Sequence, residues 1–120
     1  MMPKLIALAL RRTIGSMPLI GVLNISLAGR HSQMSGRLAT EGKFTEAIEA
    51  QKKAISMNPN DDQLVYGLAQ RYAQSGDAGN AVKTLRQAIA KHAGWKTLAG
   101  RNVNFDKIKN DPEFKKLIGG

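Results

Sequence analysis

Cysteine is absent, which removes disulfides, thiol catalysis and cysteine-ligated metal sites together. Aromatic residues are scarce, 5% against 42% hydrophobic overall, so a core must be assembled from Ala, Leu and Ile rather than from rings. Acidic residues are missing from the first third: none precedes Glu41, whereas Lys4, Arg11, Arg12, Arg30 and Arg37 all lie before it. The apolar stretch from Ile14 to Ala28, interrupted by Gly15, Pro18 and Asn24, falls short of the ~20 residues a helix needs to span a bilayer. The net charge is +9 and the pI near 10.2, a balance that suits nucleic acid, anionic lipid or an acidic protein as partner. The surplus positive charge sits towards the two ends, because the middle of the chain mixes both signs.

What the chain does have is a period. Gly42-Lys43-Phe44-Thr45-Glu46-Ala47-Ile48 is echoed by Gly76-Asp77-Ala78-Gly79-Asn80-Ala81-Val82, and Gly42/Gly76, Ala47/Ala81, Ala54/Ala88 and Ile55/Ile89 are each separated by 34 residues. A fixed interval of this length is the mark of a stacked helical-hairpin architecture. Gly42 and Gly76 release the chain from one helix, and the four alanines keep the contact between antiparallel helices thin. Asn58-Pro59-Asn60 closes the first unit, since proline disfavours helical geometry in the residue before it and has no N–H to donate. Asp61 and Asp62 then supply an N-cap and a first-turn acid for the next helix.

These residues resemble the tetratricopeptide repeat. The second unit matches its pattern at Val65, Leu68, Ala69, Tyr72, Gly76, Ala81, Leu85 and Ala88. The first matches at Met34, Ser35, Leu38, Gly42, Phe44, Ala47, Ala54 and Pro59, with His31 and Leu38 where aromatics are usual. The resemblance covers roughly Ala28 to Gly94 and implies an all-α, short helical-hairpin solenoid acting as a binding scaffold. Residues 29–94 divide into two repeats, about 28–61 and 62–94. Helices are expected from Gly29 to Thr40, Phe44 to Met57, about Asp62 to Ser75 and about Ala78 to Lys91, with Gly94 ending the last. Val65, Leu68, Ala69 and Tyr72 form the inward stripe of the third of these. Two repeats fall below the ~3 that usually bury a solenoid's faces, so capping helices, self-association or a larger partner should complete them.

The flanks differ from the repeats. Residues 1–28 read as a targeting or anchor segment. A basic start, a short apolar run and the small-residue ending Ser26-Leu27-Ala28 fit a secretory signal, and the lack of acids equally fits a mitochondrial presequence. Residues 5–28 also suit membrane contact, or a helical cap folded on the repeats. Localisation is accordingly exported, periplasmic or mitochondrial if the segment is a targeting sequence, and otherwise cytoplasmic. Residues 95–120 form a C-terminal cap. Asp111-Pro112-Glu113 starts a helix carrying Phe114, Leu117 and Ile118, and Phe105 with Ile108 makes an apolar pair upstream. The stretch from Phe105 to Phe114 resembles the closing segment of proteins of this family, with two phenylalanines covering the last helix pair.

Catalytic patterns are lacking. Gly36 to Lys43 imitates a phosphate loop with the wrong spacing, and Phe44 stands where a magnesium-holding Ser/Thr is required. His31 and His92 have no second ligand at metal-binding spacing. Glu46 and Glu49, beside Lys52 and Lys53, read as a solvated face with ion pairs rather than an acid/base couple. No catalytic residues, metal or cofactor are expected.

By the resemblance, a ligand lies along the inner face of the first helix of each repeat, which maps onto Ser32, Gly36, Arg37, Gln63, Tyr66, Gln70, Ala73 and Gln74. The lining is chiefly amides, which favours an extended peptide held through its backbone, with Tyr66 as an exposed aromatic contact. Two functions follow: a non-catalytic protein-interaction scaffold taking a peptide or partner subunit in this groove, or a basic accessory subunit of a nucleoprotein or membrane complex. Self-association is compatible with either. Salt separates them, because phosphate neutralisation gives affinity that falls steeply with salt concentration whereas a groove-held peptide responds weakly.

Overall fold

The computed structural model describes residues 19–119, and every regular element among them is helical. Four α-helices, α1 (Leu19–Thr40), α2 (Phe44–Met57), α3 (Asp62–Gln74) and α4 (Ala78–Lys91), form two antiparallel hairpins. They are followed by α5 (Gly94–Arg101), a 3₁₀ helix (Val103–Ile108) and α6 (Pro112–Gly119). This is the all-α helical solenoid that the period predicts.

The period reappears in the backbone hydrogen bonds. Gly42 has φ +79° and Gly76 φ +85°, a conformation other residues adopt at a cost. Around them Gly42 N–H donates to Ala39 O and Lys43 N–H to Leu38 O, and the same two bonds recur from Gly76 to Ala73 and from Asp77 to Tyr72. Each is the paired bond set that satisfies a helix's last carbonyls through a left-handed glycine. Helix starts are equally local. Asp61 accepts from Gln63 N–H, Asp77 from Asn80 N–H and Asp111 from Phe114 N–H, each relieving an orphan donor in a first turn.

Packing follows the alanines. Ala47, Ala54, Ala81 and Ala88 are all fully buried, so the helices of each hairpin approach closely. Between the hairpins Gly67 leaves room for a side chain of the facing helix: an added Cβ would sit 2.5 Å from Gln51 Nε2. Gln51 is buried there and donates to Leu64 O at 2.9 Å. The larger core lies in and beyond the second hairpin: Val65, Tyr66, Leu85, Ala88, Ala99, Phe105, Ile108 and Phe114 form one cluster. Ala28, Ala54 and Leu64 form a smaller one that ties α1 to α2 and α3. The phenylalanines stack at 5.4 Å between ring centroids and close the end of the stack.

The structure revises the expected helices in three places. The first helix is already formed at Leu19, ten residues ahead of Gly29, because Gly29 costs only ~1 kcal/mol inside a helix. The boundary drawn between residues 28 and 29 therefore falls within α1, and Ala28 is 1% exposed; residues 1–18 of the targeting or anchor segment lie outside the described residues. Gly94 does not end α4. The chain turns extended at His92, and Gly94 opens α5 instead. Finally, α3 is not buried on one stripe: Leu64, Val65, Tyr66, Gly67, Ala69 and Ala73 are all buried, because chain from both sides of it in sequence packs around it.

Phe105 is 1% exposed and touches both Tyr66 and Phe114. Phe105→Ala is expected to destabilise the protein by about 3–5 kcal/mol in urea unfolding, whereas Val103→Ala, two residues away and 74% exposed, should fall within about 0.5 kcal/mol of the parent.

Candidate functional site

The inner face of the stack is built by α1 and α3, and the chain itself fills part of it. The 3₁₀ helix returns along α3, bringing Asn102 and Asn104 over the amides that were expected to hold a peptide. Asn102 Nδ2 donates to the Tyr66 hydroxyl at 3.0 Å and to Gln70 Oε1 at 3.2 Å. Asn104 Nδ2 donates to the same Gln70 oxygen at 2.7 Å, and Asn104 Oδ1 accepts from Gln74 Nε2 at 3.2 Å. Asn102 also caps the 3₁₀ helix by accepting from Asn104 N–H, which fixes its amide in place.

Tyr66 is thus not an exposed contact. It is 5% exposed, with its ring stacked on Trp95 at 4.4 Å. The Trp95 indole N–H in turn donates to Asp62 Oδ2 at 2.6 Å, anchoring the start of α5 beside the start of α3. Burial raises the Tyr66 phenol above its ordinary value, and the hydrogen bond from Asn102 opposes that rise. Ala73 is also removed from the lining: it is fully buried, as is Ala39, its counterpart one period earlier at 5%, because both sit at a hairpin crossing. Gln63 remains exposed at the start of α3, away from the other amides.

The α1 side of the groove stays open. Gly36 and Ser32 are half-buried, Arg37 is exposed, and Gln33, Gly36, Arg37 and Thr40 line a shallow recess. A second recess of about 300 Å³ lies between the hairpins and the 3₁₀ helix, with Phe44, Gln74, Asn104 and Lys107 in its wall.

Arg71 joins the two halves. Its Nε donates to Ser35 Oγ at 3.1 Å and one terminal nitrogen to Gln74 Oε1 at 2.7 Å, while the other approaches Gly36, which has no side chain to block it. Ser35, fully buried, completes the chain by donating to Ala47 O at 2.7 Å. Burial pushes the Arg71 guanidinium below its ordinary value, although arginine keeps its charge in proteins. The ion pairs among the described residues are Lys43–Glu41, Lys52–Glu49 and Arg86–Glu113, so this partly desolvated cation has neutral partners alone.

Of the residues named from sequence, Tyr66, Gln70 and Gln74 are brought together, but around the chain's own Asn102 and Asn104. Gly36 and Arg37 line the open part, and Ser32 is half-buried on the same helix. Arg71 was missed because arginine on an amphipathic helix reads as solvated surface. Its depth depends on Ser35, 36 residues earlier. Asn102 and Asn104 carried one legible sign, an Asn-x-Asn just ahead of the buried Phe105.

No described group of His, Asp and Glu could hold a metal ion, and nothing in the groove pairs a nucleophile with a base. The arrangement is that of a stack of helix-hairpin repeats. A tetratricopeptide repeat family model matches residues 38–101, more than half of the chain, and the protein belongs to that family. Among similar proteins is cellulose synthase operon protein C of Escherichia coli K12, 39% identical over 49 residues; its O157:H7 counterpart matches to the same extent. Those residues are 41% of this chain but 4% of the relatives' length. Repeats of this family generally mediate protein–protein interaction and are typically non-catalytic.

The Tyr66 environment sets a pH limit. The folded state holds the phenol neutral, so its contribution is complete below the unfolded value of ~10 and is lost as pH rises through the higher folded value. Thermal stability should therefore decline above about pH 10. Asn102→Ala should cost about 1–3 kcal/mol and move the Tyr66 transition, followed by absorbance at 295 nm, further upward, since the bond it removes favours the phenolate.

Proposed function

We propose that this protein is a non-catalytic docking module that takes an acidic, extended segment of a partner protein in the open part of its groove, across Arg37 and Arg71. The observation that carries the reading is Arg71. A partly buried guanidinium without a carboxylate has lost hydration and not regained a charge partner, and a carboxylate entering beside Gly36 supplies one. The amides of α3 point to the same half of the groove, since Gln70 and Gln74 already bond to Asn104 and have less to offer a peptide backbone.

The test is fluorescence polarisation with a labelled ten-residue peptide of alternating Glu and Leu, compared with the peptide in which each Glu is Gln. The acidic peptide should bind saturably and the amide peptide about tenfold or more weakly. Arg71→Met should cause a loss of similar size while Arg86→Met, outside the groove, leaves affinity unchanged; thermal melts establish that each variant is folded. Equal binding of the two peptides, or a folded Arg71→Met protein with parental affinity, refutes the reading.

A further inference from the structure

The helix α1 outruns the hairpin it belongs to. Among its described side chains Ala28 is the first that is buried against the repeats, packing with Ala54 and Leu64 near the end of α2. Before it, Leu23 and Ile25 are each 52% exposed and Leu27 39%. Successive residues turn by 100° about a helix axis, so Leu23 and Ile25 point to nearly opposite sides. A protruding helix with apolar side chains on opposite faces is not the one-sided stripe of a surface helix, and a single partner helix would cover one side and leave the other in water.

We propose that this protruding end of α1 inserts into an anionic lipid bilayer and holds the repeats at the membrane surface. Three observations fit lipid as the occupant. A bilayer surrounds an inserted helix, so it covers both exposed sides. From Thr13 to Gly29 the sequence carries no charge, and the residues bordering that run are Arg12 on one side and Arg30 on the other. Up to Glu41 every charged residue is basic, which complements anionic headgroups and spares the inserted part any carboxylate to desolvate. The stretch from Leu19 to Ala28 is about 15 Å of helix, about half of a ~30 Å hydrocarbon core, which places exposed Arg30 at headgroup level and the groove outside the bilayer. No described helix is long and apolar enough to cross a membrane. This inference is independent of the groove reading, since none of the residues involved lines the groove.

The test uses the full chain in vesicle flotation, with phosphatidylcholine vesicles prepared with and without phosphatidylglycerol. The parent should float with the anionic vesicles and bind the neutral ones more weakly. The variant Leu23→Asn/Ile25→Asn/Leu27→Asn should bind about tenfold or more weakly with an unchanged thermal melt, because the three side chains are exposed in the folded repeats. Since the chain has no native cysteine, Leu23→Cys and Val103→Cys can each carry one environment-sensitive dye. The Leu23 dye should shift to the blue on addition of vesicles, and the Val103 dye should not. Two results overturn the proposal: failure of the parent to bind either vesicle, or a lipid-free dimer that the triple variant dissolves, which would make a second copy the occupant.

Discussion

The ring of Tyr66 rests on both Trp95 and Phe105, and this contact ties the returning chain to the second hairpin. A solenoid of two hairpins leaves the last pair with an apolar side in water, and stacked repeats usually need about three units to bury such faces. Here α5, the 3₁₀ helix and α6 take the place of a further repeat. Trp95 fixes the start of the returning chain through Asp62, Phe105 closes its middle and Phe114 its end. Aromatic residues are few, but five of the six, all except Phe44, belong to or pack against the large core cluster.

The same return shapes the inner face. Because the 3₁₀ helix reaches the core through Phe105, its two preceding asparagines are carried over Gln70 and Gln74, and the second repeat meets its own chain there. The free part of the groove is displaced towards α1. There the residues are small or basic, and the half-buried Arg71 is held in place by Ser35 and Gln74 rather than by a charge. A cation so placed has had part of its hydration removed, and neutral groups set its geometry.

At the opposite end the chain is constrained by an absence. No acid interrupts the first third, nothing breaks α1 after Leu19, and α2 is too short to accompany it. The result is a helix that starts outside the repeats and ends within them, so whatever holds its beginning is rigidly connected to the groove.

The local features of this fold were legible in the residues because each depends on near neighbours. The left-handed turns at Gly42 and Gly76 and the carboxylate caps at Asp61 and Asp111 are each contained within about five residues of chain, and the 34-residue period is the recurrence of such local features along it. The alanine contacts follow from the period, as does the family. What the sequence by itself left open were the faces. Whether Tyr66 looks outwards, whether Gln70 is free and whether Arg71 is solvated depend on Trp95, Asn102, Asn104 and Ser35, which lie 29 to 36 residues from those they touch. An amide–amide bond or a ring stack over that distance leaves no periodic trace, because it is decided by where the returning chain lands once Phe105 and Phe114 have found the core. That landing belongs to the tertiary structure, and it buries Tyr66 and pairs Gln70 and Gln74 with the returning chain.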